Sequence, residues 1–217
     1  MDNAKNTTLR ALRNFGLVIL ASAAAASIWA TNLPEEGYLL DAEMWKAEVA
    51  VAGNARQWPQ DGWYRLVPQD KTVSVQAVKP GADAGQAVAA DALYFRLPGT
   101  TLKQGNRAAY RHGAALDKPR LGQEYELTFG AERFGLRVDA DVKGMHYTIA
   151  YGGQSYEYTL GPFDAASTSV RAVADLDGDG KPDFLIDVGD DATYLLLSTR
   201  ARPGRNLPTA ELWAKGC

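Results

Sequence analysis

Apolar and polar side chains alternate with a period of two from Gly122 to Leu160, the pattern of strands with one covered face and one wet face. Tyr125, Leu127 and Phe129 alternate with Glu124, Glu126 and Thr128, while Leu136, Val138, Ala140 and Val142 alternate with Arg137, Asp139, Asp141 and Lys143. Tyr147, Ile149 and Tyr151 make a third apolar row, and Tyr156, Tyr158 and Leu160 a fourth. The joints, Lys143-Gly144 and Gly152-Gly153, are short and carry the glycine that tight hairpins need. The spacing predicts an antiparallel meander over residues 132–160 with one wet face.

Upstream, Trp45–Val51, Trp63–Val67, Val73–Val78 and Leu93–Leu97 read as short strands. The breakers Pro59-Gln60-Asp61-Gly62, Pro80-Gly81 and Pro98-Gly99 separate them. Residues 81–90 read as a loop or a short helix. Downstream, a strand-like segment over Ser169–Ala174 and an apolar run over Phe184–Val188 flank a cluster of aspartates. Nothing beyond residue 30 sustains a helical period. Many short strands without a fixed repeat predict an all-β fold, an antiparallel sandwich or barrel, with the meander towards the C-terminus. The polar stretch Thr100–Arg120 is the expected seam if a single domain over residues 31–217 has an N-terminal half (31–118) and a C-terminal half (119–217).

Residues 1–30 change the expected compartment. Lys5, Arg10 and Arg13 precede an apolar run from Phe15 to Ala30, which reads as a signal helix. The run falls short of the roughly 20 apolar residues that a bilayer span needs. A cleaved signal peptide is therefore expected, with Ala24/Ala26 or Ile28/Ala30 as the −3 and −1 residues before the cut, and export to the periplasm, cell surface or medium. Only an uncleaved segment would hold the chain at a membrane. Beyond residue 30 the formal charge falls from the whole chain's −3 to −5, because the leader carries three basic residues and one acid. With no basic stripe, nucleic acid is excluded as a partner. The single cysteine, Cys217, cannot form an internal disulfide, so packing, with or without a metal, must hold an exported fold together.

The aspartate cluster runs Asp175-Leu176-Asp177-Gly178-Asp179-Gly180-Lys181-Pro182-Asp183. Four carboxylates in nine residues repel one another unless neutralised. A Ca²⁺ ion, which takes six to eight hard oxygens at about 2.3–2.6 Å, suits them. The expected ligands are the side chains of Asp175, Asp177, Asp179 and Asp183 with the carbonyl of Lys181, completed by water. Gly178 and Gly180 permit the bend. The twelve-residue loop of an EF-hand does not fit, since its closing Glu would fall on Ile186 and its eighth position on Pro182. The competing reading is an Asp-Gly turn held by solvent alone. Asp187, Asp190 and Asp191 follow closely and could add negative charge around the loop.

The stretch from Val173 to Ile186 resembles one FG-GAP or VCBS-type calcium repeat, the loop of integrin-type propellers. By that resemblance Asp175, Asp177, Asp179 and Asp183 are side-chain ligands of calcium. The likeness covers about residues 170–190. Propellers of that family carry several such loops and this chain carries one, so the resemblance implies the chemistry of the loop and not the propeller.

Catalytic groups are sparse. His112 and His146 are the only histidines, and Ser155 lacks the second glycine of a nucleophile elbow. Glu124, Glu126, Asp139 and Asp141 leave paired-carboxylate hydrolysis of an envelope or extracellular polysaccharide as the alternative function. Trp45, Trp58, Trp63 and Tyr64 offer either a sugar-stacking or protein-binding patch, or simply core. Taken together, the sequence predicts an exported calcium-binding β-domain, a binding or structural module whose partner is a protein or polysaccharide of the cell envelope.

Overall fold

The computed structural model describes residues 37–81, 89–110, 116, 118–161, 167–190 and 192–213. The expected signal peptide, His112, Asp191, Cys217 and most of the 81–90 loop lie outside them.

In chain order the strands are β1 (Gly37–Asp41), β2 (Trp63–Pro68), β3 (Thr72–Val78), β4 (Leu93–Arg96), β5 (Gly105–Tyr110), β6 (Glu124–Phe129) and β7 (Glu132–Asp141). They continue as β8 (Gly144–Tyr151), β9 (Gln154–Leu160), β10 (Thr168–Ala174), β11 (Asp183–Val188), β12 (Ala192–Leu196), β13 (Gly204–Asn206) and β14 (Ala210–Trp213). The fold is all-β. Nine strands close a barrel in the order β1-β14-β12-β11-β10-β5-β3-β2-β4, with β4 returning to β1. The other five form a second sheet in the order β13-β9-β8-β7-β6. The barrel is antiparallel except where β1 meets β14.

The meander forms as the alternation requires. β6 to β9 pair in sequence, with Leu136 opposite Ile149 and Ile149 opposite Tyr156. Phe134, Leu136, Val138, Tyr147, Ile149, Tyr158 and Leu160 are buried, and Arg137, Thr159 and Glu157 alternate with them toward solvent. At the end of β7 the apolar row stops at Val138. Ala140 is exposed and Val142 is at the hairpin tip, where no second layer covers it. The tip itself is Val142-Lys143, one residue earlier than the glycine suggests, because Asp141 pairs with Gly144. Gly144 (φ 125°) passes so close to β9 that a Cβ would meet the Leu160 carbonyl oxygen at 2.7 Å. At the other tip Gly152 (φ 57°) and Gly153 (φ 71°) hold the left-handed pair of a type I′ turn.

β11 explains why its apolar residues do not alternate. Leu185 points into the barrel with Leu66, Val75, Phe95 and Leu195, while Phe184, Ile186 and Val188 point outward onto Phe134, Leu136 and Ile149 of the second sheet. Both faces are covered, and a strand covered on both faces reads as a continuous apolar run.

The segment Trp45–Val51, expected as a strand, is instead helical. A short helix, α1 (Ala42–Met44), runs into a π-helical turn over Trp45–Val49. The Asp41 side chain starts it by accepting the Met44 N–H at 2.6 Å. Ala42, Trp45, Val49 and Ala50 are buried together on Trp63 and Tyr94, with the Trp45 and Tyr94 rings stacked at 4.1 Å. That spacing is helical. The apparent alternation of Trp45, Ala47, Val49 and Val51 breaks because Ala47 and Val51 are exposed. In the polar stretch where a seam is expected, residues 105–110 form β5, which joins β3 to β10.

Candidate metal centre

The aspartate loop connects β10 to β11 at one end of the barrel, where Ala174 and Asp183 are paired across the two strands. Each aspartate first folds over its own backbone. Asp175 Oδ1 accepts the Gly178 N–H at 2.7 Å, Asp177 Oδ1 the Asp179 N–H at 3.2 Å, and Asp179 Oδ1 the Lys181 N–H at 2.8 Å. Gly178 (φ 87°) holds a left-handed backbone angle that favours glycine, and it lies against the Lys103 side chain, whose Cδ would have to swing aside from an added Cβ at 2.8 Å.

Carboxylate oxygens of Asp175, Asp177 and Asp183 all lie within 4.8 Å of one another. This cluster is able to hold a metal ion. Asp183 is fully buried at its centre. Its Oδ2 accepts the Leu176 N–H and its Oδ1 the Ser198 N–H, each at 2.7 Å. No basic side chain among the described residues pairs with it. Burial pushes its carboxyl up to about 8, and the charge of Asp177 adds to the shift against the pull of the two backbone N–H groups. The Asp177 carboxyl is also raised, mainly by burial, while the Thr199 hydroxyl that donates to its Oδ2 at 2.5 Å works the other way.

Asp179 stands apart from the three. It accepts the Ser198 hydroxyl at 3.1 Å and lies 3.8 Å from Lys181 Nζ. Lys181, expected to offer its carbonyl, sits with its side chain half in solvent. Asp187 is far from the loop, four residues along β11, which is about 13 Å of strand. It holds the Thr193 hydroxyl at 2.7 Å and lies 3.6 Å from Arg171 Nε.

Three further groups complete the site from distant parts of the chain. Arg107 on β5 donates Nε to the Asp175 carbonyl at 2.7 Å and Nη2 to Asp175 Oδ2 at 2.8 Å. Ser198 and Thr199, in the turn after β12, supply the donors to Asp183, Asp179 and Asp177. The Lys103 N–H donates to the Leu176 carbonyl at 2.8 Å. The loop thereby ties together β5, the strand that leaves it and the turn after β12. From the second sheet, Tyr158 feels the Asp183 charge. Burial first, and then that charge, push its phenol up to about 12.

Comparison with known proteins finds no matching family model, no similar curated protein and no similar solved structure. The likeness of residues 173–186 to a calcium repeat therefore stands on those residues alone.

The remaining candidate groups do not assemble into catalytic machinery among the described residues. His146 lies on the wet face of the second sheet, its Nε2 2.7 Å from Asp141 Oδ1 and its Nδ1 3.1 Å from Thr159 Oγ1. Thr159 is simply its cross-strand neighbour. Asp139 is tied to Arg137 at 2.8 Å. Ser155 is exposed beside the Gly152-Gly153 turn. Trp45, Trp63 and Tyr64 are buried core residues, and Trp58 is half-buried, edge-on to Trp63.

Proposed function

We propose that this chain is an exported β-domain in which one Ca²⁺ clips the end of the barrel, and that it works as a binding or structural module on a protein or polysaccharide of the cell envelope. The observation that carries the reading is the convergence of Asp175 and Asp177 on the buried, cation-free carboxylate of Asp183. Oxygens about 2.4 Å from one ion are at most about 4.8 Å apart, the limit this cluster meets. A buried carboxylate without a counter-charge is costly, and a bound cation removes that cost. Its oxygen-only ligands favour a hard cation, and the irregular, partly open loop suits calcium better than the rigid octahedron of magnesium. Asp175, Asp177 and Asp183 would hold the ion, with Asp179 close by in the same loop.

Calcium should raise the thermal midpoint. With a dissociation constant of about 10⁻⁴–10⁻³ M, ~1 mM Ca²⁺ adds roughly 0.4–1.4 kcal/mol by mass action, a shift of about 1–6 °C. Magnesium should do less, and Asp177→Ala should remove most of the response. Calorimetry with calcium, magnesium and chelator tests this, and a midpoint that none of them moves refutes the metal reading. Export rests on Lys5, Arg10, Arg13 and the apolar run after them. Mass spectrometry of the native protein should place its N-terminus between about Ala25 and Thr31, whereas intact Met1 in membranes would show an anchor.

The hydrolase alternative has one observation in its favour. A hollow of about 380 Å³ at the barrel end away from the loop is lined by Asp41, Asp91, Asp187 and Asp190. Two of these are already engaged, Asp41 in capping α1 and Asp187 with Thr193 and Arg171. That engagement favours the module over the enzyme.

A further inference from the structure

We infer that Arg107 is a resident counter-cation of the aspartate loop and sets the calcium concentration at which the loop fills. The inference rests on the calcium reading above. Four carboxylates crowd the loop, and among the described residues two basic side chains, Arg107 and Lys181, lie within ion-pair distance of them. They are not equivalent. Lys181 is exposed and 3.8 Å from Asp179, so solvent and salt screen it. Arg107 is mostly withdrawn from solvent, with 18% of its side chain exposed, and Asp175 with 16%. Its guanidinium grips both the carbonyl and the carboxylate of Asp175, while the Gly178 N–H takes the other carboxylate oxygen. β5 delivers it rigidly, held by β3 on one side and β10 on the other.

Two consequences follow from a fixed positive charge bonded to one prospective ligand. Without metal, Arg107 neutralises the charge of Asp175 and lets the loop close. With metal, a dication must share Asp175 with a guanidinium that repels it through a weakly screening medium, so its affinity falls. By linkage, a filled loop loosens the hold of Arg107 on Asp175 by the same factor. Arg107 thus exchanges calcium affinity for order in the empty loop, which keeps the clip responsive at high rather than trace calcium.

The test is calcium titration calorimetry on the full mature chain, wild type against Arg107→Gln and Arg107→Lys, with melting in chelator alongside. Arg107→Gln should bind calcium roughly tenfold more tightly, melt lower than wild type in chelator, and show a larger calcium-induced shift. Arg107→Lys, which keeps the charge without the fork, should bind calcium as the wild type does. A Gln variant that binds no more tightly than a calcium-binding wild type overturns the inference and leaves Arg107 as a latch. If the Gln variant fails to fold, a Lys variant with clearly altered calcium affinity overturns it equally. Absence of calcium binding to the wild type is a different result, which removes the calcium reading and this inference with it.

Discussion

Phe184→Ala should cost about 3–5 kcal/mol, the usual cost of emptying a buried aromatic site, and lower the thermal midpoint by roughly 6–20 °C. Phe184 is the first residue after the buried aspartate and sits edge-on to Phe134 of β7, with ring centroids 5.7 Å apart. It belongs to the layer where the second sheet packs on the outer wall of the barrel. Alternation along β11 then sends Asp183 and Phe184 to opposite sides, one to the loop and one to the sheet interface. The control is Val142→Ala, at a position 80% exposed, where a change within about 0.5 kcal/mol is expected. Urea unfolding of both variants decides it. Equal midpoints would mean that the second sheet does not depend on this contact.

Much of this fold is local in the sequence, and that part was legible. The meander could be read because one face of each strand meets water, so polarity marks every second residue. Where both faces are covered, as along β11, the run over Phe184–Val188 marked a buried strand without giving its partners. Closure of the barrel left no local mark. It depends on Gly37 and Tyr38 pairing with Ala210 and Glu211, at opposite ends of the described chain. β5 was missed because Gly-Asn-Arg-Ala-Ala-Tyr has neither β-branched residues nor clear alternation. α1 and its π turn were missed because Trp and Val are strong strand formers, and one capping aspartate with an i, i+4 contact overrode that preference.

The centre divides in the same way. Its aspartates are contiguous, and the crowding of four carboxylates could be seen at once. Their partners could not. Arg107 is 68 residues from Asp175, Thr199 is 22 from Asp177, and Ser198 is 15 from Asp183. Even-handed spacing also suggested that the four aspartates act alike. Register separates them, because Asp183 already belongs to β11 and is drawn into the barrel end, while Asp179 stays at the exposed rim with Lys181.

In chelator, the protein should lose stability as the pH rises from about 5 to 8. Unfolded, the Asp183 carboxyl titrates near its ordinary 3.8, and folded it titrates at about 8. Between those values the folded chain keeps a proton that the unfolded chain has released. Stability therefore falls with rising pH through this window, by at most about 1.4 kcal/mol per unit for one proton, and levels off above it. Structural relaxation around a buried charge reduces the slope, so a loss of about 2–4 kcal/mol across the window is expected. Asp139 and Asp141 act in the opposite sense. Hydrogen bonds to Arg137 and His146 lower their carboxyls, and their contribution is lost only as the pH falls below the ordinary range. Both are largely exposed, so that contribution is small and outside the window. Asp183→Asn keeps a neutral group of the same shape and one acceptor, with every other titrating residue unchanged, so its difference from wild type isolates Asp183. Excess calcium should flatten the wild-type slope as well, because the ion replaces the proton on the same carboxylate. Urea midpoints at intervals across the window, with chelator and with calcium, are the measurement. A wild type in chelator whose stability is flat or rises, or an Asn variant that keeps the slope, would show that Asp183 is folded as an ordinary ionised carboxylate and that the two backbone N–H groups of Leu176 and Ser198 suffice to hold its charge.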